Sequence, residues 1–202
     1  MSYSQLNQDL KCIDFFNGEK EGYFVDIGAH DGINLSNTYL LEKDYDWTGI
    51  CVEPIKAVFD KLVKNRNCIC KNTCIYDKTG EVTFSIIDGY YEMLGGITED
   101  INHHKSIVEK ESQSIKCPSI TFTELLDEAQ APLVMDFLSL DTEGSELKIL
   151  QSLNHNKYKF LYITVEHNYS PLREEIRKFL VSKDYEYVNE NVHDDIYKLK
   201  HL

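Results

Sequence analysis

The sequence lacks a long hydrophobic run and contains little proline. No uncharged apolar stretch approaches the roughly 18 residues that a transmembrane helix requires, so we expect no membrane insertion. Residues 1–17 are polar with scattered apolar positions, unlike a signal peptide, which favours a cytoplasmic protein with reduced cysteines. Four prolines and ten glycines among 202 residues leave no room for a long low-complexity linker. We therefore expect one domain over residues 1–202.

Basic residues are also scarce. The chain has 21 Lys and Arg against 34 Asp and Glu, a formal net charge of −13. An acidic surface repels the phosphates of nucleic acids and anionic lipids, and nucleic-acid binding normally depends on clustered Lys and Arg. The charge therefore favours a small molecule or a sugar as the partner over a nucleic acid. Nothing in the sequence indicates the oligomeric state.

Two familiar site patterns are missing. The chain has no GxGxxG motif and no obvious Tyr-x-x-x-Lys pair, which disfavours an NAD-dependent oxidoreductase. Cys68, Cys70 and Cys74 lack the paired CxxC spacing of structural zinc sites. We interpret these cysteines as small buried hydrophobic residues.

Strand-like and helix-like segments alternate along the chain, which is typical of an α/β fold with a largely parallel sheet. Strands are predicted at 23–27, 48–52, 67–75, 81–87, 137–140 and 160–165, with a closing hairpin of 185–188 and 196–199 that turns through 193–195. Helices are predicted at about 34–43, from Pro54, at 122–128, after Gly144 and from Ser170. The pattern predicts a Rossmann-like, seven-stranded, mostly parallel sheet with helices on both faces. Residues 88 to about 116 are polar and weakly periodic, and we interpret them as a lid or insertion.

The strongest local motif is VDIGAHDG at residues 25–32. There a strand ends, glycines allow a tight turn and a helix follows, which brings the backbone close to a nucleotide-like ligand at the carboxyl edge of a sheet. The spacing within it is D-x-G-x-x-x-G, which opens with an acid and so disfavours a pyrophosphate. Asp26 instead suits a ligand that carries a positive ammonium group. A glycine-rich turn without a ligand is the alternative.

A second acid, Glu53, ends the next predicted strand. In nucleotide-binding sheets an acid at this place accepts hydrogen bonds from the ribose hydroxyls. Acids at the ends of the first two strands therefore predict an adenosine-type ligand.

Polar side chains also follow the two later parallel strands. Asp141 and Glu143 lie in the segment SLDTEGS, and Glu166, His167 and Asn168 follow the next strand. Because side chains at strand ends face the crevice of an open α/β sheet, both segments flank the expected substrate position. The alternatives are a solvated acid in the first turn of a helix for Glu143 and a polar loop for His167.

Taken in order, the segments VDIGAHDG, SNT, GICVEP, SLDTEGSE and ITVEHN resemble the FkbM-type methyltransferases. The opening SQxxQDL and the closing HDDIY are similar to that family too, so that only 88–116 stay unplaced. Seven strands with a terminal antiparallel pair suit the class I methyltransferase fold. The family implies S-adenosylmethionine as the cofactor and O-methylation, often of sugars or secondary metabolites.

The predicted cofactor pocket combines the motifs with the resemblance, and Gln8, Ser36 and Asn37 rest on the resemblance alone. The segment that ends the third predicted strand is expected to line the adenine. The predicted cofactor-binding residues are Gln8, Asp26, Gly28, Ala29, His30, Gly32, Ser36, Asn37, Glu53, Pro54, Cys74, Ile75 and Asp141.

An alcohol acceptor must lose its proton during methyl transfer, so a base is expected within hydrogen-bond reach. The candidates, in order, are Asp141, His167, Glu143 and Glu166. We expect no metal; a Mg²⁺ site of Asp141, Glu166 and Asn168 is the alternative, similar to that of catechol-type methyltransferases, although His167 interrupts their adjacent Asp-Asn pair. A non-catalytic module that binds the cofactor is a further alternative. Contacts to the acceptor are expected from 88–116 and 193–195.

Overall fold

The computed structural model of the protein describes residues 1–87, 95–101 and 112–201. Its strands are β1 (Tyr23–Ile27), β2 (Thr48–Val52), β3 (Ile69–Lys71), β4 (Cys74–Tyr76), β5 (Gly80–Ile87), β6 (Gly96–Ile97), β7 (Ser112–Thr121), β8 (Val134–Leu140), β9 (Lys159–Glu166), β10 (Tyr185–Asn191) and β11 (Asp194–Leu199). Its helices are α1 (Gln8–Phe15), α2 (Tyr39–Tyr45), α3 (Lys56–Asn65), α4 (Phe122–Glu128), α5 (Glu146–Gln151) and α6 (Arg173–Ser182). None of the helices in these ranges is long and apolar enough to cross a membrane.

Seven strands form the main sheet in the order β10-β11-β9-β8-β1-β2-β3. The strands from β3 to β9 in this order run parallel, and β11 lies antiparallel to both of its neighbours. The strand order reverses between β1 and β8, the place where an open α/β sheet forms a crevice for ligands. This arrangement confirms the predicted sheet and its C-terminal hairpin.

Helices cover both faces of the main sheet, as predicted. On β1, Phe24 packs with Leu41 of α2 and Leu62 of α3, whereas Val25 packs with Leu150 of α5. Consecutive side chains of a strand point to opposite faces, so the apolar run of β1 supplies both hydrophobic cores.

A second sheet, in the order β4-β7-β5-β6, stands beside the main one. The sequence predicts one strand over 67–75, and this is wrong: β3 belongs to the main sheet and β4 to the second. The chain leaves the main sheet at Asn72, whose side-chain amide donates to the carbonyl oxygens of Glu53 and Pro54. The break also places Cys70 and Cys74 in different sheets.

The predicted lid at 88–116 is only partly within the described residues. Its described parts supply β6 and the first half of β7, which both pair antiparallel with β5. Residues 112–116 escaped prediction because the first half of β7 is largely solvent-exposed and carries little hydrophobic alternation. Residues 88–94 and 102–111 of the predicted lid lie outside the described residues.

Several element boundaries differ from the prediction. Helix α2 begins at Tyr39 instead of about 34, although Ser36 Oγ still accepts from the first backbone N–H group of the helix, at 3.1 Å. Helix α6 begins at Arg173, a turn later than predicted. Asp194 and Asp195 belong to β11 instead of the hairpin turn. Helix α1, in the polar N-terminal region, was not predicted.

Candidate functional site

A cavity of about 650 Å³ lies at the carboxyl ends of the parallel strands. Five carboxyl groups line it: Asp26, Glu53, Asp141 and Glu166, one at the end of each of β1, β2, β8 and β9, and Glu143 in the turn after β8. The N-terminal region adds Gln5 and Gln8, and the second sheet adds Ile75, Phe84 and Ile97. A volume of this size is typical of small-molecule sites, which span roughly 300–1,000 Å³.

Two glycines shape the turn that follows β1. Gly28 has a φ of 96°, and a Cβ at that position would lie 1.9 Å from the carbonyl oxygen of Asp141. Gly32 has a φ of 82°, and its Cβ would lie 2.7 Å from Cγ of Arg66. Glycine is required at both positions because side chains there would strain the backbone and collide with neighbours. Gly28 thus lets the ends of β1 and β8 meet, while Gly32, which does not line the cavity, makes room for Arg66.

Asp26, near the end of β1, is only 4% exposed. Thr38 Oγ1 donates a 2.6 Å hydrogen bond to its Oδ2, and the guanidinium of Arg66 lies behind Thr38. Burial raises the pKa of Asp26, whereas Thr38, Arg66 and a hydrogen bond from Ser139 oppose that shift by stabilising the charged form. A buried acceptor group of this kind fits a positively charged ammonium group.

Glu53 follows β2 and is 5% exposed. Its Oε1 accepts from the backbone N–H of Ile55 at 2.7 Å, and the backbone of His30 also donates to the carboxylate. Burial raises the pKa of Glu53 to about 7 despite these two donors. The donors orient a carboxyl group that lines the cavity and can accept from ribose hydroxyls.

Three carboxyl groups meet at the ends of β8 and β9. Oxygens of Asp141, Glu143 and Glu166 all lie within 4.8 Å of one another, the only such group of potential metal ligands within the described ranges. Leu140 pairs with Val165, so Asp141 and Glu166 leave neighbouring strands side by side. Burial and the repulsion of nearby carboxylates, among them Glu146, raise the pKa of Asp141 to about 7 and of Glu143 to about 8.

Asp141 and Glu166 are joined by a hydrogen bond, and only one of the two carboxyl groups carries a proton. Burial and the Asp141 charge raise the pKa of Glu166 far above its usual range, while the same hydrogen bond lowers the pKa of Asp141. Glu166 is therefore the protonated member of the pair, and its carboxyl group donates to the carboxylate of Asp141. This leaves the Asp141 carboxylate as the proton acceptor of the cluster.

Glu146, which sequence reasoning did not select, holds the DTEG turn together. Its Oε1 accepts from the backbone N–H groups of Thr142 and Gly144, at 2.9 and 3.1 Å. Ser145 occupies the N-cap position of α5 but makes no capping hydrogen bond, and its hydroxyl donates to Asp100. The Glu146 carboxylate, instead of the Ser145 hydroxyl, accepts from the backbone N–H groups before α5, because it reaches two of them at once.

The histidine predicted as a base lies outside the cavity. His167 follows Glu166 and points to the opposite side, where its Nδ1 accepts from Tyr169 N and its Nε2 lies 3.7 Å from Asp195. Burial and the charge of Arg173 lower the pKa of His167. The ring therefore makes its contacts in the interior of the fold and does not line the cavity.

Asn168 and the hairpin turn do reach the cavity. Asn168 Nδ2 donates to Glu143 Oε2 at 3.4 Å, so Asn168 borders the acidic cluster, whereas the alternative Mg²⁺ site names Asn168 in place of Glu143. His193 lines the cavity, and its backbone oxygen accepts from the N–H groups of His167 and Asn168.

The remaining predicted cofactor residues are assembled around this space. All of them except Gly32 line the cavity: Gln8, Gly28, Ala29, His30, Ser36, Asn37, Pro54, Cys74 and Ile75. Sequence reasoning did not select Gln5, Phe84, Ile97 or Ser139, which also line it. Ser139 lies within a hydrophobic strand, and Phe84 and Ile97 come from a sheet that the sequence did not predict as a unit.

Comparison with known proteins points to one family. The sequence model of the Methyltransferase FkbM domain matches residues 26–187. A search of curated proteins found no match to this sequence.

Solved structures share the fold. A methyltransferase FkbM from Methylobacillus flagellatus KT is 13% identical, with a TM-score of 0.53; the match covers 88% of this chain but only 43% of that protein, so the chain spans less than half of its length. The METTL16 MTase domain is 11% identical with a TM-score of 0.53, over 98% of this chain and 68% of that one. The N-terminal domain of human METTL16 in complex with SAH is 13% identical with a TM-score of 0.50, over 98% and 70% of the two chains.

Proposed function

This chain belongs to the FkbM methyltransferase family, a family that uses S-adenosylmethionine, and we propose that it methylates a hydroxyl oxygen of a sugar or another small metabolite. The observation that supports a hydroxyl acceptor is the cluster of Asp141, Glu143 and Glu166 at the edge of the cavity. Such an acceptor needs a base, and the cluster contains a carboxylate whose pKa lies near neutrality.

We assign the two ends of the cofactor to the acids of β1 and β2. The Asp26 carboxylate accepts from the ammonium group, and Glu53 accepts from the ribose hydroxyls. Cys74 and Ile75 line the space for the adenine. When bound, S-adenosylmethionine supplies an electrophilic methyl group on its sulfonium. The residues of this chain then have to position the acceptor, exclude water and take up one proton.

Asp141 is the proposed base. The acceptor hydroxyl gives its proton to the Asp141 carboxylate as the new O–CH₃ bond forms, and the electron pair of the broken S–CH₃ bond stays on sulfur. Glu166 donates its hydrogen bond to the same carboxylate and fixes its orientation. Glu143 and His193 lie in the same cavity and are the proposed contacts for the acceptor.

A divalent cation is the alternative that one observation favours. Three carboxyl groups within 4.8 Å of one another match the hard oxygen ligands of Mg²⁺. In that case the cation, instead of the shared proton, would balance the charge of the cluster and would hold the acceptor oxygen. Removal of divalent ions separates the two mechanisms.

A neutral acceptor suits this cavity best. The described lining contains several carboxyl groups and no Lys or Arg, so a phosphate-bearing substrate would meet repulsion. This agrees with the preference for a small molecule over a nucleic acid that the net charge of −13 predicts. The expected cytoplasmic location stays a prediction.

The test is methyl transfer from labelled S-adenosylmethionine to a panel of sugars, phenols, amines and short RNAs. We expect label on a hydroxyl compound, and loss of that label with Asp141→Asn. Transfer to an amine or to RNA alone would contradict the hydroxyl proposal. Tight S-adenosylhomocysteine binding without transfer to any class would favour the non-catalytic binding module instead.

A further inference from the structure

We propose that Arg66 and Thr38, which do not line the cavity, are positioning residues that hold the Asp26 carboxylate ionised and oriented toward the ammonium group of the cofactor. The inference rests on the proposed role of Asp26 in the cofactor site. Three features carry it: the direction of the hydrogen bonds, a second relay on the other side of Asp26, and the burial of the arginine.

The direction of the first relay is fixed by chemistry. Arg66 Nη2 donates to Thr38 Oγ1 at 3.1 Å, and a guanidinium has no acceptor atom. The single proton of the Thr38 hydroxyl is therefore left for Asp26 Oδ2, 2.6 Å away. Because that oxygen must accept, the relay is satisfied when Asp26 is a carboxylate and is weakened when the oxygen carries a proton.

A second relay reaches Asp26 from the neighbouring strand. Asn37 Nδ2 donates to Ser139 Oγ at 2.9 Å, and the hydroxyl of Ser139 hydrogen-bonds to Asp26, its partner in the parallel register of β1 and β8. The Asn37 amide nitrogen can only donate, so the Ser139 proton also points to Asp26. Asn37 is one of the residues that line the cavity, and its Oδ1 is buried without a hydrogen-bond partner among the described residues.

Several buried contacts hold the guanidinium of Arg66 in place. Its guanidinium is buried, forms an ion pair with Glu42 at 2.7 Å and donates to the carbonyl oxygen of Gly32 and to Ser36 Oγ. One cation thus ties the turn after β1 to the start of α2, where Thr38 lies. Hydrogen bonds offset the cost of burying an arginine, and each of the three guanidinium nitrogens donates to at least one acceptor here.

Among the described residues, few charged or titratable groups face Asp26. Arg66 approaches from the end of α3, Asp141 from the end of β8, and Cys51 lies beside it on β2. Asp141 repels the negative charge of Asp26, so the positive charge behind Thr38 is the group that opposes both this repulsion and burial. Removing the relay is expected to raise the pKa of Asp26. As the pH falls, Asp26 would then be protonated, and cofactor binding lost, at a higher pH than in the wild type.

The test is calorimetric titration of S-adenosylhomocysteine between about pH 5.5 and pH 8 against Thr38→Val, which keeps the shape and removes the hydroxyl. We expect the pH at which binding is half lost to rise by about one unit. This corresponds to about tenfold weaker binding in the acidic arm and near-normal binding at about pH 8. Thr38→Ser, which restores the hydroxyl, should bind like the wild type.

Two controls separate positioning from simple destabilisation. Thr164→Val removes a buried hydroxyl from the same row of the sheet, where Thr164 pairs with Ser139 and has no partner for its own hydroxyl among the described residues; its binding profile should not move. The probe 5′-methylthioadenosine, which lacks the ammonium group, should bind Thr38→Val and the wild type equally. Arg66→Met combined with Glu42→Gln, which avoids an unpaired buried charge, should shift the profile in the same direction.

The outcomes are distinguishable. A Thr38→Val profile that coincides with the wild type, or that is weakened by the same factor at every pH, would overturn the positioning role and leave the cofactor assignment intact. If the wild type itself binds neither S-adenosylhomocysteine nor 5′-methylthioadenosine, the proposed cofactor site is wrong and the relay falls with it.

Discussion

Two substitutions and two ligands can test separately how each end of the cofactor is bound. Glu53→Ala removes the carboxyl group assigned to the ribose, and Asp26→Ala removes the one assigned to the ammonium group. S-adenosylhomocysteine carries both features, whereas 5′-methylthioadenosine keeps the adenosine and lacks the amino acid. We expect Glu53→Ala to weaken both ligands and Asp26→Ala to weaken only S-adenosylhomocysteine.

The structure sets the size of the effect. Glu53 is 5% exposed and Asp26 is 4% exposed. Bulk water therefore competes little with the hydrogen bonds that these two carboxyl groups are expected to accept from the ligand. A hydrogen bond to a charged group contributes about 1.5–3 kcal/mol. Water that enters the space left by alanine can satisfy the ligand in part, so the lower end of that range applies. We therefore expect an affinity loss of at least about tenfold, or about 1.4 kcal/mol, for both ligands with Glu53→Ala and for S-adenosylhomocysteine with Asp26→Ala.

The assay is isothermal titration calorimetry of both ligands at about pH 7.5, where the cost of ionising the buried acids is small. The melting temperature of each variant serves as the folding control. Unchanged affinity for S-adenosylhomocysteine in both variants would refute the assignment of the two acids. An equal loss of both ligands in Asp26→Ala would show that Asp26 supports the pocket as a whole instead of binding the ammonium group.

Further predictions concern the acidic cluster and its surroundings. Asp141→Asn should lower turnover by about 10²- to 10⁴-fold, as expected for loss of a general base, while changing S-adenosylhomocysteine affinity less than about threefold; retained turnover would exclude Asp141 as the base. Turnover should survive exhaustive treatment with EDTA; loss that Mg²⁺ restores would establish the metal-dependent alternative. The folded-state pKa values of Glu53 and Asp141 (about 7) and of Glu143 (about 8) exceed the ordinary carboxyl values, so the folded apo-protein binds more protons than the unfolded chain and should lose stability as the pH rises from about 4.5 to about 8. Thermal melts should show this decline, and Glu143→Gln should make it shallower; a melting temperature that rises over this range would contradict the shifts. His167→Gln should lower the melting temperature and leave turnover within about twofold, because the ring does not reach the cavity; a large loss of turnover would restore His167 as a candidate.

Much of the site could be predicted because each motif is local. Asp26 and Glu53 each end a short apolar run, and Gly28 and Gly32 mark the turn between a strand and a helix. A strand that ends in polar residues delivers them to one edge of a parallel sheet, whatever the details of packing. Contacts that depend on neighbouring elements could not be predicted in the same way: Glu143, which the alternative Mg²⁺ site did not include, lies with Asp141 and Glu166, and Asn168 donates to it.

The sequence alone determined the alternation of strands and helices, the strand ends that carry the acids and the family, because hydrophobic periodicity and glycine-rich turns act within a few residues. Only the tertiary structure decided what lies behind those acids. Arg66 is far from Asp26 along the chain, and its role through Thr38 depends on how α3 packs against the turn after β1. Likewise, only packing placed β4 in a second sheet and turned His167 away from the cavity, since the direction of a side chain beyond a strand end depends on the elements that cover it.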